Sequence, residues 1–202
     1  MEITVPNQPA RSNEAVQKEI DSIEVRIFDD QKRLATLRRE LPAEVVPDYE
    51  LTDWSGQKVK LSELFADKME LIVVHNMGKS CVYCTLWADG FIGITKHLED
   101  RAAFVLTSPD DPETQRRFAR DRGWTFRMLS TQSTSFKHDM GFEPEPGKYR
   151  PGVSVFRKDA NGNMFHVSKS MFGPGDHFSA VWHFFDLLPS ETEWHPKYHY
   201  GP

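Results

Sequence analysis

Cys81 and Cys84 are the only cysteines of the 202-residue chain, and two residues separate them in Cys81-Val82-Tyr83-Cys84, downstream of the apolar run Leu71-Ile72-Val73-Val74. Two thiols at that spacing can work as one reagent. The first attacks a disulfide, and the second resolves the mixed disulfide by intramolecular attack. Using both cysteines in such a pair points to thiol chemistry rather than to a disulfide scaffold. The plainer alternatives are two small buried residues that stay reduced, or half of a zinc site. His75 and His97 are close enough in sequence to complete a Cys2His2 set. A helix between Cys84 and His97 would carry that imidazole away from the sulfurs, so no metal and no other cofactor is expected.

Composition narrows the setting. With 39% hydrophobic residues the chain can bury one good core, and 25 basic against 30 acidic residues give a net charge of -5, ordinary for a globular protein and no sign of a nucleic-acid partner. The apolar runs fall far short of the roughly 20 residues of a membrane span. The start Met1-Glu2-Ile3-Thr4-Val5-Pro6 lacks the basic residues and apolar core of a secretion signal. A cytoplasmic location with no membrane contact is therefore expected, where the thiols rest reduced and oxidise in turnover or under stress.

The elements that must position the pair follow from periodicity. Residues 12–41 contain no Gly or Pro and place Val16, Ile20, Ile23, Ile27, Leu34, Leu37 and Leu41 at alternating spacings of four and three, interrupted by Asp30. This is a heptad seam on one long helix. It either pairs with the same helix of a second copy, making a homodimer, or lies across the chain's own domain. Pro42 and Pro47 end the helix, so residues 1–47 form a helical arm and connector. From residue 48, Tyr49-Glu50-Leu51 and Val59-Lys60-Leu61 flank a turn at Gly56, and Ser62 is placed to cap a short helix at Glu63-Leu64-Phe65.

The apolar stretches 71–74 and 103–106 predict buried strands. Leu86, Trp87, Phe91, Ile94 and Leu98 predict a helix over 84–97, and Asp110, Pro112 and Gly123 bracket another. Strand, helix, strand, helix implies a parallel sheet. A short strand is expected at 126–129, then a polar loop to 150 with one short helix at 136–140. A hairpin follows at 153–156 and 164–167, with Asn161-Gly162 in its turn, and then a helix over 175–188 stopped by Pro189. The domain thus spans 48–189. The tail 190–202, with Trp194, His195, Tyr198, His199 and Tyr200, reads as a packing segment or a cover for a partner subunit.

This order resembles the thioredoxin fold, in which the cysteine motif sits where a parallel strand passes to its helix and a proline precedes the hairpin strand, as Pro151 does here. The resemblance implies a thioredoxin-like α/β fold, three layers around a mixed central sheet, with the long N-terminal helix as an addition. The chain is more closely similar to a family of uncharacterised bacterial thioredoxin-like proteins. It shares Leu61-Ser62-Glu63-Leu64-Phe65, Val74-His75, Met77, the Cys-x-x-Cys, Trp87-Ala88-Asp89-Gly90-Phe91, Gly123-Trp124-Thr125-Phe126, Pro151-Gly152 with Ser154-Val155-Phe156, Phe165-His166 and Asp186-Leu187 with Pro189. It departs from that family in a shorter loop before Cys81 and in Arg150. No activity comes with the family.

The fold resemblance assigns roles. Cys81 would lie at a helix N-terminus, where unpaired N–H groups favour its thiolate and make it the nucleophile, with Cys84 resolving from beneath. His75 stands where thioredoxins carry a buried acid, so it would accept the Cys84 proton, or else be a core histidine. Pro151 is expected to be cis and to turn Arg150 toward the Cys81 sulfur, favouring anionic substrates. Lys79 would lower the Cys81 pKa or point into solvent. Tyr83 is similar to the tyrosine of glutaredoxin motifs.

A peroxiredoxin site would need Pro and Thr or Ser where this chain has Val74 and Gly78. The expected activity is thiol–disulfide exchange with a protein or small-molecule thiol or disulfide and a separate electron donor. The alternatives are a non-catalytic scaffold with a redox-sensitive pair, or a metal-binding protein.

Overall fold

The computed structural model describes residues 12–190 and 192–201. The segment Met1-Glu2-Ile3-Thr4-Val5-Pro6, read above for a secretion signal, lies outside the described residues, as do Glu191 and Pro202. The chain divides into two units between Leu41 and Pro42.

The first unit is one helix, α1 (Asn13–Glu40), 28 residues long. Ser12 caps it by accepting the Ala15 N–H, Glu14 sits in its first turn and Arg38 and Arg39 in its last, so both ends match the helix dipole. No residue of α1 is buried, and Val16, Ile20, Ile23, Ile27, Leu34 and Leu37 of the heptad seam are exposed.

The second unit is built on an eight-stranded mixed sheet. In chain order its elements are β1 (Glu44–Val45), β2 (Glu50–Thr52), β3 (Lys58–Lys60), a 3-10 turn (Leu61–Phe65), β4 (Glu70–His75), α2 (Val82–Phe91), α3 (Thr95–Arg101), β5 (Ala103–Ser108), α4 (Pro112–Arg122), β6 (Arg127–Ser130), α5 (Phe136–Asp139), β7 (Gly152–Lys158), β8 (Met164–Met171) and α6 (Ala180–Phe185). The strands run in the order β1-β8-β7-β4-β5-β6-β2-β3. β4, β5 and β6 are parallel, and β7 pairs antiparallel to β4 with His75 opposite Gly152. Among the described residues, no helix is long and apolar enough to cross a membrane.

The pleat of β4 and β5 sends alternate side chains to two separate cores. Leu71, Val73 and Val105 join one cluster with Leu61, Leu64 and Phe65 of the 3-10 turn, Phe136, Phe142 and Phe156. Val74, Phe104 and Leu106 join the other with Cys84, Trp87, Ala88 and Phe91 of α2 and Ala119 of α4. The sheet is therefore the middle of three layers, the arrangement that the thioredoxin resemblance implies.

Several expected elements differ in extent, each for a local reason. The helix foreseen over 84–97 is two helices. Gly90 and Gly93 weaken its middle, and the Thr95 hydroxyl donates to the Phe91 carbonyl at 2.7 Å. Ser62 caps nothing, because its N–H and hydroxyl both bind the Asp48 carboxylate, at 2.9 and 2.8 Å.

The last helix is only Ala180–Phe185. Upstream of it, the Asp176 carboxylate accepts the backbone N–H groups of Gly173, Phe178 and Ser179 and holds that stretch as a turn. The connector after α1 contains an edge strand, since Glu44 and Val45 pair with His166 and Phe165.

Candidate active site

The loop between β4 and α2 is held at nearly every residue. Asn76 N–H donates to the Thr107 carbonyl at 2.8 Å, and Gly78 N–H donates to the Asn76 side-chain oxygen at 2.7 Å. The Asp110 carboxylate accepts the Lys79 N–H at 2.8 Å and the Ser108 hydroxyl at 3.0 Å. Gly78 has φ of 103°, and a Cβ there would lie 3.1 Å from that carboxylate, so only glycine suits the position. The loop ends with Cys81 N–H bonded to the Gly78 carbonyl at 3.1 Å.

This fastening makes Cys81 the N-cap of α2. Its Sγ accepts the Cys84 N–H at 3.0 Å, in the place a capping Ser or Asp oxygen would take. Cys81 is half-buried and Cys84 buried, and both are free thiols. The Cys81 pKa falls from 9.0 to about 7 because the Cys84 side chain hydrogen-bonds to it. The N–H groups of Cys84 and Tyr83 add to this, and burial opposes it. The Cys84 thiol is pushed far above its ordinary range by its bond to Cys81 and by burial; the Met77 N–H, 3.4 Å from its Sγ, and the charge of Lys137 pull it back. One sulfur is thus prepared as a thiolate and the other kept as a thiol, without a charged side chain beside the nucleophile.

Lys137 was not among the residues expected at the site. It lies on α5, is 1% exposed, and donates from Nζ to the Asn76 carbonyl at 3.0 Å. Burial lowers its pKa from 10.5 to about 7, against the pull of Cys84, Glu143 and Asp110. The sequence signal is slight: one lysine between Phe136 and His138 in a short helix of a polar loop.

His75 does not occupy the expected place. It follows Leu71 and Val73 in the alternation of β4, so its ring enters the core on the far side of the sheet from Cys84. There it stacks on Phe142 with ring centres 3.9 Å apart and on Phe136 at 5.5 Å. Its Nε2 is hydrogen-bonded to Ser154 at 3.0 Å, Nδ1 is buried without a partner, and burial holds its pKa well below 6.5. A neutral core imidazole replaces the expected proton acceptor.

Two further expectations are corrected. No cis peptide bond occurs among the described residues, so Pro151 is trans. Arg150 is exposed, its N–H bonds the Phe142 carbonyl at 2.8 Å, and its charge is not among the causes of the low Cys81 pKa. Lys79 is likewise exposed and enters the site only through its backbone N–H. His97 lies on α3, beyond the break after α2, and among the described residues no group of three or more His, Cys, Asp or Glu is placed to hold a metal.

Compared with known families, the sequence matches the family described as "Bacterial protein of unknown function (DUF899)" over residues 8–198. The chain belongs to the DUF899 family. No curated protein matches it.

Among solved structures it is similar to the peroxidoxin BcpB from Mycobacterium tuberculosis, with TM-score 0.52 and 23% identity over 68% of this chain and 88% of that one. It is also similar to an uncharacterized conserved protein from Geobacillus kaustophilus, with TM-score 0.50 and 15% identity over 71% and 77% of the two chains. A structure of peroxiredoxin Q from Xanthomonas campestris gives TM-score 0.50 and 16% identity over 68% and 89%. These likenesses show the fold, which is thioredoxin-like.

In this DUF899 protein the aromatic tail packs around the motif. The Tyr83 hydroxyl and His195 Nδ1 are 2.6 Å apart, and His195 Nε2 is 3.0 Å from Glu193. Trp194 meets Trp182 and Phe185 edge-on, and the Tyr198 carbonyl accepts a bond from Arg122. Burial, and after it the charge of Cys81, raises the Tyr198 pKa. Tyr83 is therefore tied to the tail as well as to α2.

Two outcomes are expected of this DUF899 protein. The alkylation rate of Cys81 with iodoacetamide rises through a midpoint near 7, and Cys84→Ala, which removes the leading cause, moves that midpoint up by about 1 unit. A midpoint unchanged in the variant overturns this account.

Lys137 carries the second. Its folded value, about 7, lies below the unfolded 10.5, so between them the unfolded chain binds more protons and stability rises with pH; below about 7 the full cost of burying the charge is present. Lys137→Met should therefore gain more stability, by urea unfolding, at about pH 6 than at about pH 9.5. Equal gains at both would contradict it.

Proposed function

We propose that the protein is a thiol–disulfide oxidoreductase in which Cys81 is the nucleophile and Cys84 the resolving thiol. The Cys81 thiolate attacks one sulfur of a substrate disulfide, a new S–S bond forms to Cys81, and the other substrate sulfur leaves as a thiolate. Cys84 then attacks Cys81, the intramolecular disulfide forms, and the second substrate sulfur leaves as a thiol with the Cys84 proton. A dithiol or thiol donor reverses these steps and restores the pair.

The observation that supports this most is the Cys81 Sγ at the N-cap of α2, accepting the Cys84 N–H at 3.0 Å with its pKa near 7. Reactive cysteines owe their thiolate to such electropositive, partly open surroundings. The peroxidoxin likeness raises peroxide as a second oxidant. The positions that would bind it in the standard site hold Val74, buried in β4, and Gly78, packed against Asp110. Disulfide exchange is the reading we adopt. A cytoplasmic setting suits it, because thiols there are kept reduced between turnovers.

The test is a trapping experiment with Cys84→Ser. A disulfide substrate should leave a stable adduct on Cys81 in that variant and an intramolecular disulfide in the native protein, both read by intact mass. Absence of both overturns the exchange mechanism and leaves a binding or metal role.

We also propose that the exposed heptad seam of α1 pairs with a second copy. Sedimentation should then give a dimer that Ile23→Asp dissociates; a monomeric native protein would refute it.

A further inference from the structure

Among the described residues, Lys137 is the only lysine or arginine that is buried. A buried ammonium costs several kcal/mol unless something compensates it. Glu143 and Asp110 act on Lys137 from a distance, and the group that would favour its charge most is Cys84 once that thiol gives up its proton. From the sheet side it also faces His75, whose protonation it opposes.

One peptide group connects the cation to the sulfur. Lys137 Nζ donates to the Asn76 carbonyl at 3.0 Å, and the N–H on the other end of that same peptide, Met77 N–H, points to Cys84 Sγ at 3.4 Å. A cation on the carbonyl polarises the peptide and strengthens its N–H as a donor.

Resting on the exchange reading above, we infer that Lys137 is the positioning residue for the resolving step: its ammonium, acting through the Asn76–Met77 peptide, stabilises the negative charge that Cys84 develops as it attacks the Cys81 mixed disulfide. In that adduct Cys81 carries no charge, so the largest influence holding the Cys84 proton is gone. What remains is burial, opposed by the Met77 N–H and by Lys137. The bond that forms joins Cys84 to Cys81, the bond that breaks joins Cys81 to the substrate sulfur, and the Cys84 proton leaves with the released thiol or to water. Lys137 forms no bond and is unchanged.

The experiment uses 5,5′-dithiobis(2-nitrobenzoate), which releases one coloured thiolate when Cys81 attacks and a second when Cys84 resolves. In the native protein the first release should precede the second. The rate of the second should climb with pH and then level off near 7, because the reactive form, thiolate with ammonium, holds the same number of protons as thiol with neutral amine.

In Lys137→Met the second phase should slow by about tenfold and keep climbing with pH, with the first phase unchanged, while Lys137→Arg restores most of the rate. Two clean phases without levelling in the native protein, or with equal rates in native and Lys137→Met proteins, would overturn this inference and leave the exchange mechanism standing. Absence of any second release from the native protein would overturn both.

Discussion

A cysteine sulfur as the N-cap of a helix depends on the backbone before it being held in one shape, and here that is done by hydrogen bonds to the end of the neighbouring strand β5. Thr107 on β5 takes the Asn76 N–H, and Asp110 just past β5 takes the Lys79 N–H. The parallel pairing of β4 with β5 brings those partners into reach, with His75 level with Thr107. If the loop moved, Cys84 N–H would lose its sulfur acceptor and the Met77 N–H its thiol. The low pKa of Cys81 is therefore a property of the sheet's register as much as of the two cysteines.

The alternation of β4 divides the chemistry between two faces. Val74 leads to the cluster that contains Cys84, while His75 turns into the cluster of Phe136, Phe142 and Phe156. A histidine at the end of a strand can be read from sequence, but the face it enters depends on a parity that a loop of unknown shape obscures. α5 packs on the His75 side, and its lysine reaches back to the Asn76 carbonyl at the strand's end. The polar group nearest in function to Cys84 thus comes from 61 residues downstream of Asn76.

What the sequence made legible follows from this division. Period-two and continuous apolar patterns located β4, β5 and the β7–β8 hairpin, and Asp110, Pro112 and Gly123 bracketed α4, whose N-cap is the next residue, Asp111. The cysteine pair was legible because its chemistry is local. Lys137 was not, because burial of a lysine is decided by what folds over it, and nothing in Ser135-Phe136-Lys137-His138 distinguishes it from a solvated side chain. The trans Pro151 and exposed Arg150 failed differently: they were carried over from a fold in which a cis proline turns its neighbour to the motif. The shortened final helix reflects competition by one side chain, Asp176, whose carboxylate offers the backbone a turn in place of a helical start.

The retention of Lys137 in an apolar core gives the energetics their direction. Replacing a buried cation by an apolar side chain of similar volume is commonly neutral or stabilising, so stability alone gives no reason for a lysine at this position. Nor does it secure the fold through an ion pair, since Glu143 and Asp110 exert only a distant pull. Its short contact to the Asn76 carbonyl falls on the peptide that faces Cys84. A charge that costs stability and whose field is directed at a thiol is the arrangement expected where the folded state gives up stability to control an ionisation. The Cys84 thiol and the backbone N–H groups prepare Cys81 without any cation, so the cation's effect is left to fall on the sulfur that must ionise second.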